Sequence, residues 1–280
     1  MTSHIAALDF EDFTLHIVEG YISNLFFVVY KKKNKILLFD SGSRSDVQVI
    51  SHFCKEVLNR DPEEITLSIT SHMHPDHAGG AVFLRKKYGI PNAAHRNADR
   101  WYNGISGIIQ HKLDEFMAQV VRKRNKLPLR RVSHPRRLHS DFVLKEGDPL
   151  PFFPDWEVIE IPGHTLHDIG LYHKKERLIY PADCIVNVKG KWNLPIPVFF
   201  HDTMKGTFEK LASLETRYII PAHGDFIETD NPHEIFDAMI DLIDMPKNDM
   251  SRRAHRISAF APAIWKSYLK KLVSKNKIWR

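Results

Sequence analysis

Residues 65–80 read ITLSITSHMHPDHAGG. Ile65–Ile69 is a short apolar run that predicts a strand. The chain passes from it directly into four side chains of metal-binding type, His72, His74, Asp76 and His77, within six residues. In extended backbone alternate residues share a face, so the spacing predicts that His72 and His74 point the same way. Pro75 breaks the strand and lets Asp76 and His77 turn toward a second position, while Gly79 and Gly80 allow the next helix to begin close against the backbone. Neutral imidazole and carboxylate are the donors that borderline divalent metals prefer.

Upstream of this stretch, Leu15–Val18, Leu25–Tyr30 and Ile36–Phe39 are apolar and β-branched or aromatic, and predict strands. Asp40-Ser41-Gly42 ends the third of them. Residues 44–58 place Val47, Ile50, Phe53, Cys54, Val57 and Leu58 on one helical face. Downstream, residues 81–88 predict a brief helix, and residues 96–126 a longer helical stretch followed by a Pro- and Arg-rich segment to about 140. A second strand-rich section follows at Val158–Ile161, Ile169–Tyr172 and Leu178–Tyr180. A helix around 203–214 and a strand at Tyr218–Ile220 precede a last helix, with Asn231 as its N-cap and Pro232 at its first position. Two strand clusters, each flanked by helices, imply layers of helix and sheet.

Three further polar residues stand where strands end: His164 in PGHT, Asp183 in PADC and His223 in PAHG. Each has small neighbours that permit close approach to a site. Together with the first cluster they make two three-residue donor sets and a bridge. The ordered set His72-Met-His74-Pro-Asp76-His77, then His164, Asp183 and His223, resembles the metallo-β-lactamase superfamily, with the match running from about Leu15 to Gly224. The resemblance implies an α/β fold, the four-layer αββα sandwich of that family with its metals at one edge. It implies that His72, His74 and His164 hold a first divalent ion, that Asp76, His77 and His223 hold a second, and that Asp183 bridges them. Zinc is expected first, with iron or manganese as alternatives. Asp40 occupies the family's early Asp position, where it orients a ligand loop or caps the turn before the next helix.

Two departures from the family pattern bear on function. β-Lactamases of the family with two metals typically lack the bridging Asp, and many use a Cys ligand; Asp183 instead favours branches resembling glyoxalase II, lactonases and RNA-processing nucleases. Cys184 is expected to be a small buried residue. In His164-Thr165-Leu166-His167-Asp168 the second His falls one place earlier than in many relatives, which leaves the roles of His167 and Asp168 open.

The 280 residues suit one domain with an appendage. The expected division is a hydrolase domain over 1–245, carrying a helical insertion at about 96–140, and a basic helical extension over 246–280. The net charge of +6 hides an asymmetry. Residues 116–140 and 251–280 hold eight and nine Lys or Arg with no acid, leaving 23 basic against 34 acidic residues elsewhere. The body is therefore acidic and the two segments basic. No apolar run approaches a membrane span, no secretory signal is read at the N-terminus, and Cys54 and Cys184 suggest no disulfide framework, so a cytoplasmic location is expected.

These features predict a dinuclear metal-dependent hydrolase that uses a metal-bound hydroxide, with Asp76 orienting it and passing a proton to the leaving group. The substrate is expected to be a small ester, thioester or lactone, anionic ones included, with WNLPIPVFF at 192–200 lining a pocket and the insertion covering it. The alternatives are a phosphodiesterase or ribonuclease, for which the basic segments speak, and a non-catalytic metal-binding regulator. The oligomeric state is left open.

Overall fold

A computed structural model of the chain describes residues 4–188 and 190–245. The proposed extension at 246–280 lies outside them. Among the described residues the first sheet runs through β1 (His4–Asp9), β2 (Phe13–Glu19), β3 (Asn24–Tyr30), β4 (Ile36–Phe39), β5 (Ile65–Thr70), β6 (Asn92–His95) and β7 (Phe142–Leu144), in that spatial order. β1 to β4 are antiparallel neighbours, and β4 to β7 are parallel. The parallel crossovers carry helices α1 (Asp46–Glu56), α2 (Ala81–Tyr88) and α3 (Gly104–Arg124).

The second sheet is built from β8 (Pro149–Leu150), β9 (Phe153–Glu160), β10 (Ile169–His173) and β11 (Leu178–Tyr180). Two short strands, β12 (Val186–Val188) and β13 (Lys191–Asn193), start a small third sheet. Helix α4 (His201–Ala212) then leads to β14 (Tyr218–Ile219), which pairs parallel with β11. β15 (His223–Gly224) joins the third sheet beside β12, β16 (Ile227–Glu228) closes the edge beside β14, and α5 (Pro232–Asp244) follows.

The side-chain alternation of the strands sorts the layers. Leu25, Phe27, Ile36 and Leu38 face Val47, Ile50 and Phe53 of α1 and Leu84 of α2. Their neighbours Phe26, Val28, Leu37 and Phe39 share a core with Trp156, Val158, Leu171 and Ile179 of the second sheet, and that core continues into Phe208 of α4 and Phe236 of α5. The result is the expected α/β/β/α sandwich. Its centre is aromatic: Phe39 stacks on Tyr180 at 5.1 Å and meets Trp156 edge-on at 4.9 Å. Truncating such a buried Phe to Ala costs about 3–5 kcal/mol. Because Phe39 immediately precedes Asp40, the loss would also be felt at the site.

Several elements differ from the expectation. β1, β6, β7, β8, β12, β13, β15 and β16 were not predicted. The stretch over 96–126 is mostly helical, as expected, with a short 3-10 turn at Ala98–Arg100 ahead of α3. Asn231 does stand at the N-cap with Pro232 first, but its amide donates to Glu234 Oε1 at 2.7 Å and caps no backbone group. No helix among the described residues is long and apolar enough to cross a membrane.

Candidate metal centre

The site forms where the chain leaves its strands. In sheets with parallel strands, ligands gather beyond the carboxyl ends. β4 delivers Asp40, β5 delivers the His72–His77 loop, β9 leads to His164, β11 to Asp183 and β14 to His223. The loop after β5 is not extended, as the alternation argument assumed: regular strand ends at Thr70 and the chain bends. His72 and His74 still converge, their rings crossing at 79°. Gly79 and Gly80 serve as expected, since a Cβ on Gly79 would stand 2.1 Å from the Pro75 carbonyl and one on Gly80 2.4 Å from the Ser41 carbonyl.

All seven predicted residues come together. His72 Nε2 and His164 Nε2 lie 3.0 and 2.9 Å from His74 Nδ1. Asp183 Oδ2 lies 3.8 Å from His72 Nε2 and 3.6 Å from His164 Nε2. The other oxygen of the same carboxylate, Oδ1, faces His77 Nε2 at 3.0 Å and His223 Nε2 at 3.3 Å. Asp76 Oδ2 completes that second set, 3.4 Å from His223 Nε2 and 3.7 Å from His77 Nε2. Donor atoms held 2.0–2.1 Å from one tetrahedral ion stand about 3.3–3.4 Å apart, and these separations bracket that value. His77 Nε2 and Asp183 Oδ1 are both buried without a properly directed hydrogen bond. Such orphaned polar atoms are costly unless a cation lies between them. The donor set therefore fits metal ions.

Electrostatics divides the cluster. Burial pushes His72 well below the ordinary imidazole range, and the imidazoles of His77 and His74 add to the effect. Burial and then His164 take His74 down to about 3. These rings present neutral lone pairs. In the other set burial opposes charge on His77 and His223, but Asp183 and Asp76 outweigh it, holding His77 well above its usual range and His223 up at about 10. Burial likewise works against the carboxylates, yet His77 and His223 bring Asp76 down to about 2 and hold Asp183 well below the usual range. His72 and His74 offer neutral donors and the other set attracts positive charge, which is the polarity a cation requires.

The surrounding groups fix the ring orientations. Asp40 is buried, in a left-handed conformation at φ 54°, and binds rather than caps. Its Oδ1 accepts the Ser71 amide at 2.7 Å; its Oδ2 accepts the Ser71 hydroxyl at 2.8 Å, His77 Nδ1–H at 2.7 Å and the Tyr180 hydroxyl. His164 Nδ1 donates to the Pro197 carbonyl at 2.8 Å, which leaves Nε2 free to act as a donor of its lone pair. His167 lies outside the donor set: its Nε2 accepts the Met73 amide at 3.1 Å. Asp168 accepts both the amide and the hydroxyl of Thr165, closing the turn that carries His164, and burial raises it to about 6. Cys184 is buried in the apolar core, as expected.

The sequence places the insertion over the site but does not single out Tyr102 and Asp114. Tyr102 OH donates to Asp114 Oδ2 at 2.8 Å and lies 3.1 Å from the Met73 carbonyl, and Asp114 Oδ2 stands 3.8 Å from His74 Nε2. A signal was present, since Asp114 and Glu115 are acids in the middle of a helix whose last turn is basic. Part of WNLPIPVFF does border the site: the amides of Phe199 and Phe200 donate to the Gly163 carbonyl at 3.2 and 3.0 Å.

A family model, that of the metallo-β-lactamase superfamily, matches residues 18–223. Over 224 residues the chain is 21% identical to the "Probable metallo-hydrolase YflN" of Bacillus subtilis (strain 168), covering 75% of this chain and 83% of that protein. The crystal structure of the metallo-β-lactamase family protein TTHA1429 from Thermus thermophilus superposes with a TM-score of 0.58 at 19% identity, covering 85% of each chain. That of the archaeal superfamily protein ST1585 from Sulfolobus tokodaii gives 0.57 at 14% identity, over 87% of this chain and 94% of the other. At these identities the structural likenesses speak to the fold.

Proposed function

The chain belongs to the metallo-β-lactamase superfamily, and on that premise we propose that it is a dinuclear metal-dependent hydrolase of a small ester, thioester or lactone, nearer the glyoxalase II and lactonase branches than the β-lactamases. The observation that carries this reading is the division of one carboxylate: Asp183 turns Oδ2 to His72 and His164 and Oδ1 to His77 and His223. His72, His74 and His164 would hold one ion, Asp76, His77 and His223 the other, and Asp183 both, zinc being the first choice for such donors. A bound pair supplies Lewis acidity and lowers the pKa of a water toward about 7.

The protein's own groups do the rest. Asp76 is half-buried beside His223 and His77. Held at about 2, it is a carboxylate at neutral pH, able to orient an attacking water and pass its proton to the leaving group. Leu166, two residues past His164, and Ile196, next to the Pro197 that holds it, are 41% and 39% exposed. They offer an apolar rim for an acyl chain. A second reading, phosphodiester cleavage, draws on the acid-free run at 116–140. The free, buried cysteines Cys54 and Cys184 agree with a cytoplasmic location.

Elemental analysis of protein purified with metal supplied, joined to a screen of esters, thioesters, lactones and phosphodiesters, tests the proposal. Two ions at the seven-residue cluster with acyl turnover are expected. Turnover confined to phosphodiesters would replace the substrate class, and a cluster holding one ion or none would sink the dinuclear reading.

A further inference from the structure

We propose that His111, Glu115 and His134 form a separate divalent-metal site that pins the insertion together. One donor atom from each lies within 4.8 Å of the others, and none of the three belongs to the cluster described above. His111 and Glu115 are four residues apart on α3 and so share a face; His111 Nε2 is 3.5 Å from Glu115 Oε1. That is close to the spacing of two donors on one tetrahedral ion. His134 comes from the segment after α3. Its amide reaches Glu115 Oε1 at 3.3 Å, and its ring centroid lies 4.7 Å from that of His111.

The decisive atom is His134 Nδ1. His134 Nε2 lies 3.1 Å from the Met73 carbonyl. A carbonyl can only accept, so the ring proton is on Nε2 and Nδ1 carries a bare lone pair. That atom is buried and has no well-directed hydrogen-bond partner, the Val132 backbone lying near the ring. An unmet acceptor in such a place is destabilising, and a cation would remove the penalty. Glu115 is prepared for the role, because Lys112 Nζ takes its Oε2 at 2.7 Å and Oε1 is left toward the imidazoles. His111 Nε2 donates to the His134 carbonyl at 2.9 Å. Binding would move that proton to Nδ1 of the same ring and release the carbonyl, so the ring stays neutral. Two imidazoles and a carboxylate suit zinc or a similar ion, with a fourth position for water. The ion would tie the middle of α3 to the returning segment, and through His134 to Met73.

The test counts ions in the full-length chain loaded with zinc and freed of excess metal. If the seven-residue cluster holds two, the wild type is expected to hold three, and Glu115→Gln and His134→Ala to lose one each. Combining His72→Ala, His77→Ala and Asp183→Asn should leave one ion, and adding Glu115→Gln should leave none. Cobalt(II) in the triple variant should give the visible bands of a four-coordinate ion. Should His134→Ala fail to fold by circular dichroism, Glu115→Gln, which keeps its size and loses only the charge, decides. A zinc count that folded Glu115→Gln leaves unchanged overturns the proposal. A wild type holding a single ion that Glu115→Gln removes supports this site while removing the dinuclear reading of the other, so the two fail separately.

Discussion

His77 Nδ1 donates to Asp40 Oδ2 across 2.7 Å, and so the side chain that ends β4 sets the ring that follows β5. Because Asp40 also receives the Ser71 amide, the Ser71 hydroxyl and Tyr180, removing it orphans several buried donors at once. Each orphan costs about 1–3 kcal/mol. Asp40→Asn tolerates the left-handed backbone but cannot accept all four. We predict that this variant folds, melts lower, and loses about 10–100-fold in metal affinity or turnover. Metal titration beside a melting curve checks this; wild-type affinity would show that Asp40 does not orient His77.

Asp183→Asn keeps the shape of the proposed bridge and removes its charge. Two cations would then repel with less compensation. The expected outcome is a folded protein that holds fewer ions than the wild type and whose turnover falls by at least about 100-fold, on the scale of lost charge stabilisation at a catalytic centre. Full metal content with near-normal turnover would show that the bridge is not there.

Gly224 follows His223 at φ 94°, and a Cβ there would stand 1.3 Å from the Asn187 carbonyl oxygen. Gly224→Ala must therefore push β15 off β12 and carry His223 with it. We expect a loss of turnover out of proportion to the loss of stability, with ions released more readily than from the wild type. Kinetics and elemental analysis on the same folded sample decide the matter, and unchanged activity would count against a role for His223.

Asp46 provides a pH test at a residue outside the seven-residue cluster. Burial raises it from 3.8 to about 7, although the amides of Ser43 and Tyr21 both donate to it. Between those values the folded chain keeps the proton that the unfolded chain has lost. The unfolded state then binds fewer protons, so this group makes stability fall as pH rises from about 4 to about 7, by roughly 1.4 kcal/mol per pH unit, and adds no further slope above that. Urea unfolding of wild type and Asp46→Asn at several pH values should show a flatter profile for the variant. Parallel profiles would refute the assignment.

The acid-free segments separate the two substrate readings. A polyanion bound through many phosphate contacts is released steeply by salt, whereas a small acyl substrate feels exposed charges screened beyond roughly 8–10 Å. Ester or thioester hydrolysis is expected to change little between low and physiological salt, and little in a variant with Arg252, Arg253 and Arg256 neutralised together. RNA cleavage that falls steeply with salt and vanishes in that variant would favour the phosphodiesterase.

The convergence of the seven His and Asp residues was legible because their chemistry is carried by residue type and order, and the apolar strands β2 to β5 because period and composition agree. Strand β6 was not, since Asn-Ala-Ala-His contains no β-branched or aliphatic-aromatic residue; it is a strand because small side chains fit between β5 and β7. The two-residue strands β8, β15 and β16 exist through their partners, which no local pattern announces. The convergence of His72 and His74 was foreseen for the wrong reason, strand alternation, when a bend produces it. Asp114 and His134 stayed hidden because their significance depends on the insertion folding back onto Met73 through Tyr102 and His134, 29 and 61 residues further along the chain.

Both polar backbone groups of Met73 are taken: its amide by His167, its carbonyl by Tyr102 and His134. The peptide planes on either side of this residue belong to the links between His72 and His74. They act as an axle gripped from two directions, with an imidazole mounted at each end. Changes at Tyr102, His134 or His167 would therefore reach the backbone between His72 and His74 without touching either ring.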